Sequence, residues 1–158
     1  MHLEIERKFL VRGEAFKSMA SHTLEMVQAF LSTDPERTVR VRKIDDRGWL
    51  TIKGITEAGG TTRREWEFPI SGEEAETLLE ICLPGAIHKT RYRVPFEGLD
   101  FEVDEFHDQN EGLVLAEVEL SSEAQEVALP DWIDEEVTGD PAYYNSQLSI
   151  KPYTTWNK

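Results

Sequence analysis

The sequence predicts an α+β protein built on an eight-stranded antiparallel closed β-barrel with helices packed outside it. Three observations lead to this fold class. Apolar and charged residues alternate through much of the chain, short turns carrying Gly or Asp join several of the alternating stretches, and helix-start signals fall between them. Short connections favour antiparallel neighbours. Eight such strands with few helices favour a closed barrel.

The strand-like stretches account for most of the chain. They lie at 2–11, 23–32, 37–45, 48–56, 61–70, 86–95, 98–106 and 113–121. The turns "DDRG" at 45–48, "EAGG" at 57–60 and "EGLD" at 97–100 separate neighbouring strands.

Helix signals are fewer. Ser71 and Glu74 form a capping box with Ile70 as its hydrophobic staple, which predicts a helix to about residue 82. Asp140 and Pro141 predict an N-cap and a first helical position, followed by a helix over 142–149. A short helix at 14–20 and weaker turns at 123–136 are also expected, and the C-terminal segment is interpreted as mainly structural.

Composition narrows the class of protein. The 158 residues fit one domain, 1–158, with 39% hydrophobic and 30% charged residues. We expect no signal peptide or membrane span, and the single Cys82 suits a reducing, cytoplasmic location. The formal net charge of −14 argues against DNA binding. The four histidines lie far apart, without metal-ligand spacing.

The first strand carries charge on one face. In "HLEIERKFLV", Leu3 and Ile5 point to one side while Glu4, Glu6 and Lys8 point to the other. The same division recurs in most other strands. One interpretation is an antiparallel sheet with its charged face in water. Two features favour an inward charged face: acids and bases are segregated by strand, and the opposite faces carry aromatic residues that the helices must cover from outside.

The inward set combines acids and bases in equal number. The acids are Glu4, Glu6, Glu65, Glu67, Glu102, Asp104, Glu117 and Glu119, and the bases are Lys8, Arg40, Arg42, Lys53, Arg63, Lys89, Arg91 and Arg93. Buried carboxylate pairs need a cation between them, and carboxylates are suitable ligands for Mg²⁺ or Mn²⁺. Lysine and arginine donate to phosphate oxygens. The pattern predicts metal-assisted phosphoryl transfer to water.

The motifs resemble those of the CYTH, or triphosphate tunnel metalloenzyme, superfamily. Glu4-x-Glu6-x-Lys8 is similar to its ExExK signature, and further segments follow in the family's order: "IERKFLV", "RVRK", "TIKG", "REWEFPI", "KTRYRV", "EVDEF", "AEVELSSE" and "VTGDPAYYNSQL". The resemblance covers essentially the whole chain and is greatest to small single-domain prokaryotic members. It implies an eight-stranded tunnel that binds triphosphate between basic side chains.

The resemblance also implies roles for individual residues. Metal would be held by Glu4, Glu6, Glu117 and Glu119; phosphates by Lys8, Arg40, Arg42, Lys53, Lys89 and Arg91. Glu4, Glu6 and Lys8 would be catalytic, and a metal-bound water would attack the terminal phosphorus. The tunnel would also be lined by Glu65, Glu67, Glu102 and Asp104, which would ligate a second metal or orient the bases, and by Arg63 and Arg93, which lie nearer the strand ends. A homodimer is expected from the resemblance alone.

One departure from the family pattern lies in the second strand. Many relatives read Gln-Gly-Tyr-Leu where this chain reads Gln28-Ala29-Phe30-Leu31. Phe30 shares a face with Gln28, which predicts an inward side chain near Lys8. Since Phe30 lacks the hydroxyl of tyrosine, it cannot orient the lysine, a loss of about 1 kcal/mol that would affect rate or substrate preference.

The sequence-based hypothesis is hydrolysis of inorganic triphosphate with Mg²⁺ or Mn²⁺. Three alternatives stay open: a nucleoside or thiamine triphosphatase, an adenylate cyclase of the same superfamily, and a non-catalytic module that binds polyphosphate or a nucleotide. No extra segment for gripping a nucleobase is apparent, which favours the inorganic substrate. Paired carboxylates argue against pure anion binding.

Overall fold

The computed structural model describes residues 1–57 and 60–156. Within them, the strands are β1 His2–Val11, β2 His22–Ser32, β3 Arg37–Ile44, β4 Arg47–Gly54, β5 Thr62–Ser71, β6 Ile87–Phe96, β7 Leu99–Phe106, β8 Val114–Glu119 and β9 Ile133–Glu136. The helices are α1 Phe16–Met19, α2 Gly72–Glu80 and α3 Asn145–Leu148, with short 3₁₀ turns at Asp108–Asn110, Pro141–Tyr143 and Tyr153–Thr155. The turn expected at 57–60 lies partly outside the described residues.

Eight strands close into a barrel through β1. The order of hydrogen-bonded neighbours is β5-β4-β3-β2-β6-β7-β8-β1, and β1 pairs with β5 as well. Residues His2–Ile5 of β1 face β5, and Glu6–Leu10 face β8. All of these pairings are antiparallel. The predicted α+β class and the closed eight-stranded antiparallel barrel are therefore confirmed.

A further strand, β9, was not predicted. It pairs with the end of β1 at Phe9 and Val11, along the edge that β5 has left. Its sequence, Ile-Asp-Glu-Glu, has no apolar alternation and low strand propensity, so nothing local marks it as a strand. Pairing with β1 decides its conformation.

The outer face of β1, β6, β7 and β8 carries the main apolar core. Phe101 and Val103 are fully buried there beneath Phe16 of α1 and Trp132. The rings of Phe16 and Phe101 each lie 5.9 Å from that of Trp132. These contacts confirm that apolar residues opposite the charged face are covered from outside the barrel.

Helix α2 covers β3, β4 and part of β5. Ser71 Oγ accepts a hydrogen bond from the Glu74 amide at 3.0 Å, as the capping box predicts. Ala75 packs so closely on Gly48 that a side chain at Gly48 would begin 2.5 Å from the Ala75 methyl group. The helix ends at Glu80, slightly before the predicted end.

Helices do not cover the whole outer face of β5. The expectation that helices cover the aromatic residues opposite the charged face is wrong for this strand. Phe68 is on the outer face, opposite Leu50, and remains 50% exposed. With α2 centred over β3 and β4, the outer face of β5 beyond it stays open.

The C-terminal segment is also less helical than predicted. In place of one helix over 142–149, a 3₁₀ turn at Pro141–Tyr143 is followed by α3, and Tyr144 between them is extended with φ −68° and ψ 137°. The Asp140 cap is present, its carboxylate accepting from the Ala142 amide. Leu148 is fully buried against the barrel. Of the helices in the described residues, none is long and apolar enough to cross a membrane.

Candidate active site

The charged faces of the strands point into the barrel and line a tunnel. Strand register brings Lys53 opposite Glu65 and Arg91 opposite Asp104, with apolar neighbours directed outward. Central positions are lined by Glu4, Glu6, Lys8, Arg40, Arg42, Lys53, Arg63, Lys89, Arg91 and Glu117. Toward one mouth lie Glu65, Glu67, Arg93, Glu102 and Glu119. The antiparallel registers thus bring together the acids and bases that alternation placed on one face of each strand.

Three carboxylates of the tunnel, those of Glu4, Glu6 and Glu117, have shifted pKa values. Burial, with the negative charges of Glu117 and Glu4, raises the pKa of Glu6 well above its ordinary value. Glu4 and Glu117 behave differently because each has a lysine beside it. Glu4 Oε1 lies 2.8 Å from Lys53 Nζ, and Glu117 Oε1 lies 3.6 Å from Lys8 Nζ. Burial would raise both pKa values, but the lysines lower that of Glu4 and bring that of Glu117 to about 2.

The two arginines of β3 that line the tunnel, Arg40 and Arg42, are not fully paired with acceptors or negative charges. Arg40 Nε is buried without a hydrogen-bond partner, although an Nη atom reaches Thr51 at 3.3 Å. Burial and the charge of Arg91 lower the pKa of Arg40, and burial with Arg40 and Arg91 lowers that of Arg42 well below its usual range. Clustered cations of this kind would be stabilised by an anion, and a buried donor with no acceptor points to a ligand oxygen.

Asp104 holds two other cations in place. Its carboxylate accepts from Arg91 Nε at 2.7 Å, from Arg91 Nη2 at 2.9 Å and from Lys89 Nζ at 2.8 Å. Glu102 accepts from the remaining Arg91 nitrogen at 3.1 Å. The bidentate contact fixes the plane of the Arg91 guanidinium. Burial lowers the pKa of Lys89 to about 7, with Asp104 opposing the shift and Arg91 adding to it.

The acids at the mouth that Glu65, Glu67 and Glu119 line differ in their contacts and exposure. Glu65 approaches Lys53 at 3.6 Å, and Glu67 accepts from Thr51 at 3.0 Å. Glu119 is more than half exposed and lies 2.8 Å from His2 Nε2. Of the residues proposed as metal ligands, Glu4, Glu6 and Glu117 line the centre of the tunnel, while Glu119 is at its rim.

Phe30 points inward, as the side-chain alternation predicts. It is opposite Arg40 in the β2–β3 register, is buried, and lines the tunnel together with Lys8. Its ring also packs with Ile87 and Leu115, in an apolar cluster closed by Leu148. An aromatic side chain at this position therefore contributes to a buried apolar cluster as well as to the site.

Sequence reasoning missed a set of tunnel residues at the C-terminal end. Tyr144, Asn145 and Ser146 line the tunnel together with the predicted charges. The Asn145 side-chain oxygen accepts from Lys89 Nζ at 2.9 Å and from the Gln28 amide. Gln28 in turn accepts from Arg42 Nε at 2.9 Å. Local sequence signals only a capped turn here, and the extended Tyr144 between two short helical pieces turns these residues inward.

The carboxylates have the chemistry of a divalent-metal site. Oxygen ligands of this type suit Mg²⁺ or Mn²⁺, and an added cation would offset the repulsion that raises the pKa of Glu6. In the described residues, however, no three His, Cys, Asp or Glu side chains are positioned together to hold a metal. The ion pairs of Glu4 with Lys53 and of Glu117 with Lys8 give the reason, since both carboxylates are directed at ammonium groups. The residues fit the ion chemically, and those two contacts would be exchanged for it.

Comparison with known proteins identifies the family. The model of the CYTH domain matches residues 2–147. The chain belongs to the CYTH domain family. A protein of Acetivibrio thermocellus named inorganic triphosphatase is 46% identical over 100% of both chains. One of Nitrosomonas europaea with the same name is 36% identical, over 93% of this chain and 97% of its own.

The CYTH barrel is also similar to solved structures. A crystal structure of an inorganic triphosphatase is 32% identical, with a TM-score of 0.66 and coverage of 93% of this chain and 97% of its own. The family resemblance seen in the motifs is therefore confirmed. CYTH triphosphatases are generally dependent on a divalent metal.

Proposed function

We propose that this protein hydrolyses inorganic triphosphate to pyrophosphate and phosphate inside the tunnel, with Mg²⁺ or Mn²⁺. The observation that carries the proposal is the buried arginine pair of β3, in which Arg40 Nε lacks a partner, close to three carboxylates. Cations alone would suit any anion. Carboxylates beside them suit an anion that arrives with a divalent metal. The relatives named inorganic triphosphatase support the same substrate.

In this proposal the bases bind and the acids divide into two groups. The phosphates are held by Lys8, Arg40, Arg42, Lys53, Lys89 and Arg91. The metal is held by Glu4, Glu6 and Glu117, with Glu119 at the rim, and when bound it neutralises phosphate charge and makes a water molecule more acidic. Asp104 and Glu102 orient Arg91, while Glu65 and Glu67 orient Lys53 and Arg40, because these are the contacts that they make.

A substrate panel tests the proposal directly. Phosphate release is measured from inorganic triphosphate, pyrophosphate, ATP, thiamine triphosphate and longer polyphosphate, each with Mg²⁺ and with Mn²⁺. We expect the highest kcat/KM for inorganic triphosphate and no turnover after chelation of the metal. Preferred turnover of an organic triphosphate, or tight binding of triphosphate without turnover under either metal, would contradict the proposal.

Variants on one strand separate the tunnel from the surface. Arg40→Ala removes a cation aimed into the tunnel, and the loss of a charged hydrogen bond to phosphate predicts a KM about 10- to 100-fold higher. Arg37→Ala is the matched control, since Arg37 is an exposed arginine of β3 paired with Asp34 and Glu36. Parental kinetics in both variants would contradict the assignment.

The proposal also includes a cytoplasmic location and a homodimeric assembly. A reducing, cytoplasmic location is consistent with the free thiol of Cys82. The homodimer expected from the family resemblance is tested by size-exclusion chromatography with light scattering, where a single species at 18.1 kDa would contradict it.

A further inference from the structure

The two ends of the tunnel differ in charge. One mouth carries a net negative charge, because acids outnumber the bases Arg47 and Arg93 there. The acids are Asp45, Asp46, Glu65, Glu67, Glu102 and Glu119. At the opposite end stand Tyr144, Asn145 and Ser146, none of them charged at neutral pH. A polyanion is repelled by the acidic mouth and attracted toward the bases deeper in the tunnel. We therefore expect a terminal phosphate of the substrate to bind toward the end near Tyr144.

The Tyr144 side chain lies at that end of the tunnel, in contact with two of the tunnel cations. Its ring centre lies 5.2 Å from Lys8 Nζ and 5.8 Å from Arg63 Cζ, so two cations of the tunnel rest against the ring. Its hydroxyl meets Thr56 Oγ1 at 3.4 Å across the end of the tunnel. The next residue, Asn145, is held by Lys89 and Gln28, which anchors the backbone that carries the ring.

A second pocket of about 460 Å³ lies next to Tyr144. The tunnel and the pocket share the lining residues Thr38, Thr56, Gly60, Arg63, Tyr144 and Ser146. Tyr144 is the aromatic residue of this shared set, so its ring lies where the two spaces meet. Other walls of the pocket are neutral and partly apolar, formed by Pro35, Ile55, Pro141 and Gln147. Among the described residues that line it, Arg63 alone is charged at neutral pH. Such a lining suits an uncharged organic group rather than another phosphate.

We propose that Tyr144 is a specificity-determining residue, which keeps the tunnel selective for inorganic triphosphate by separating it from the neutral pocket. An organic triphosphate carries its organic group on one terminal phosphate. With the ring present, that group can be directed only toward the acidic mouth. Without the ring, it can enter the neutral pocket while the phosphates keep their contacts with the bases. This inference rests on the proposed function and extends it to substrate choice.

Tyr144→Ala and Tyr144→Phe are the first variants to compare. For each, kcat/KM is measured for ATP and for inorganic triphosphate with the same metal, and the ratio of the two values is the readout. We expect the ratio to rise by about tenfold or more in Tyr144→Ala, the scale on which pocket shape alone discriminates. Tyr144→Phe retains the ring and should keep the parental ratio. Thermal melting identifies any unfolded variant, in which case Tyr144→Leu replaces Tyr144→Ala.

Refilling the pocket provides the decisive control. Ile55 is 54% exposed and lies in the pocket but not along the tunnel. Ile55→Trp alone should leave hydrolysis of inorganic triphosphate unchanged, and combined with Tyr144→Ala it should reverse the gain with ATP. A folded Tyr144→Ala variant with the parental ratio, or a gain that Ile55→Trp does not reverse, would overturn the inference. If the parental protein hydrolyses inorganic triphosphate, those results leave the proposed function intact. Absence of any turnover by the parental protein would refute the proposed function itself.

Discussion

Replacing Asp104 by asparagine tests the electrostatic design of the tunnel most directly. The carboxylate is 2% exposed and accepts hydrogen bonds from Arg91 and Lys89. Asparagine has nearly the same size, so the change removes a charge without opening a cavity. It leaves Arg91 with Glu102 as its remaining counter-charge and removes the carboxylate that favours the charged form of Lys89, which Arg42 already opposes.

The expected cost follows from burial of the pair. Removing one partner of a buried ion pair typically costs about 3–5 kcal/mol, because the remaining charge stays desolvated. For a domain of this size each kcal/mol lowers the melting temperature by about 2–4 °C, so Asp104→Asn should melt roughly 6–20 °C below the parental protein. The pKa of Lys89 should fall below its already lowered value, because the attraction that favoured its protonation has gone.

Thermal unfolding without metal, with and without inorganic triphosphate, is the assay. The ligand should recover part of the loss, since its oxygens take over the role of the missing carboxylate. Asp134→Ala is the control: it removes an exposed carboxylate 3.3 Å from Arg12, where a surface pair contributes less than about 1 kcal/mol. If Asp104→Asn melted within about 2 °C of Asp134→Ala, Asp104 would not be the counter-charge of Arg91 and Lys89.

Other predictions concern pH, backbone and metal. Because the pKa of Lys89 is lowered to about 7, this lysine is largely neutral at pH 8, and a phosphate beside it should raise the pKa and cause proton uptake. Calorimetry in buffers of different ionisation enthalpy should detect the proton, and Lys89→Arg, which stays charged, should abolish its uptake. Gly85 has φ +101°, and a methyl group there would lie 2.1 Å from the Ser149 carbonyl oxygen. Gly85→Ala should therefore destabilise the fold much more than the control Gly98→Ala. A methyl group at Gly98 meets no neighbour, so that change costs only about 1–2 kcal/mol in backbone strain. Equal melting temperatures for the two alanine variants would contradict the close approach. Glu4→Gln should lower kcat with partial rescue at higher metal concentration, whereas loss of a cation, as in Arg40→Ala, should not be rescued by metal.

Phe30 shows how far sequence reasoning extends. Alternation in β2 is sufficient to orient it inward, and it does line the tunnel with Lys8. Its packing against Ile87 and Leu115 could not be predicted, because those residues come from strands distant in sequence. The same holds for Asp104, whose two cationic partners depend on the register between β6 and β7.

Period-two alternation by itself divided most strands into a charged face and an apolar face, since side chains on alternate residues point to opposite faces. The segregation of acids and bases by strand, with the aromatic residues of the apolar faces, favoured a charged barrel interior. The same alternation placed on one face of each strand the acids and bases that line the tunnel. Which acid meets which base was decided by strand register, which is a property of pairs of strands. The tertiary structure alone brought Tyr144 and Asn145 to the end of the tunnel, because a capped turn carries no local signal for the distant surface on which it packs. Tyr144, inconspicuous in the sequence, consequently became the residue we propose as the determinant of substrate choice.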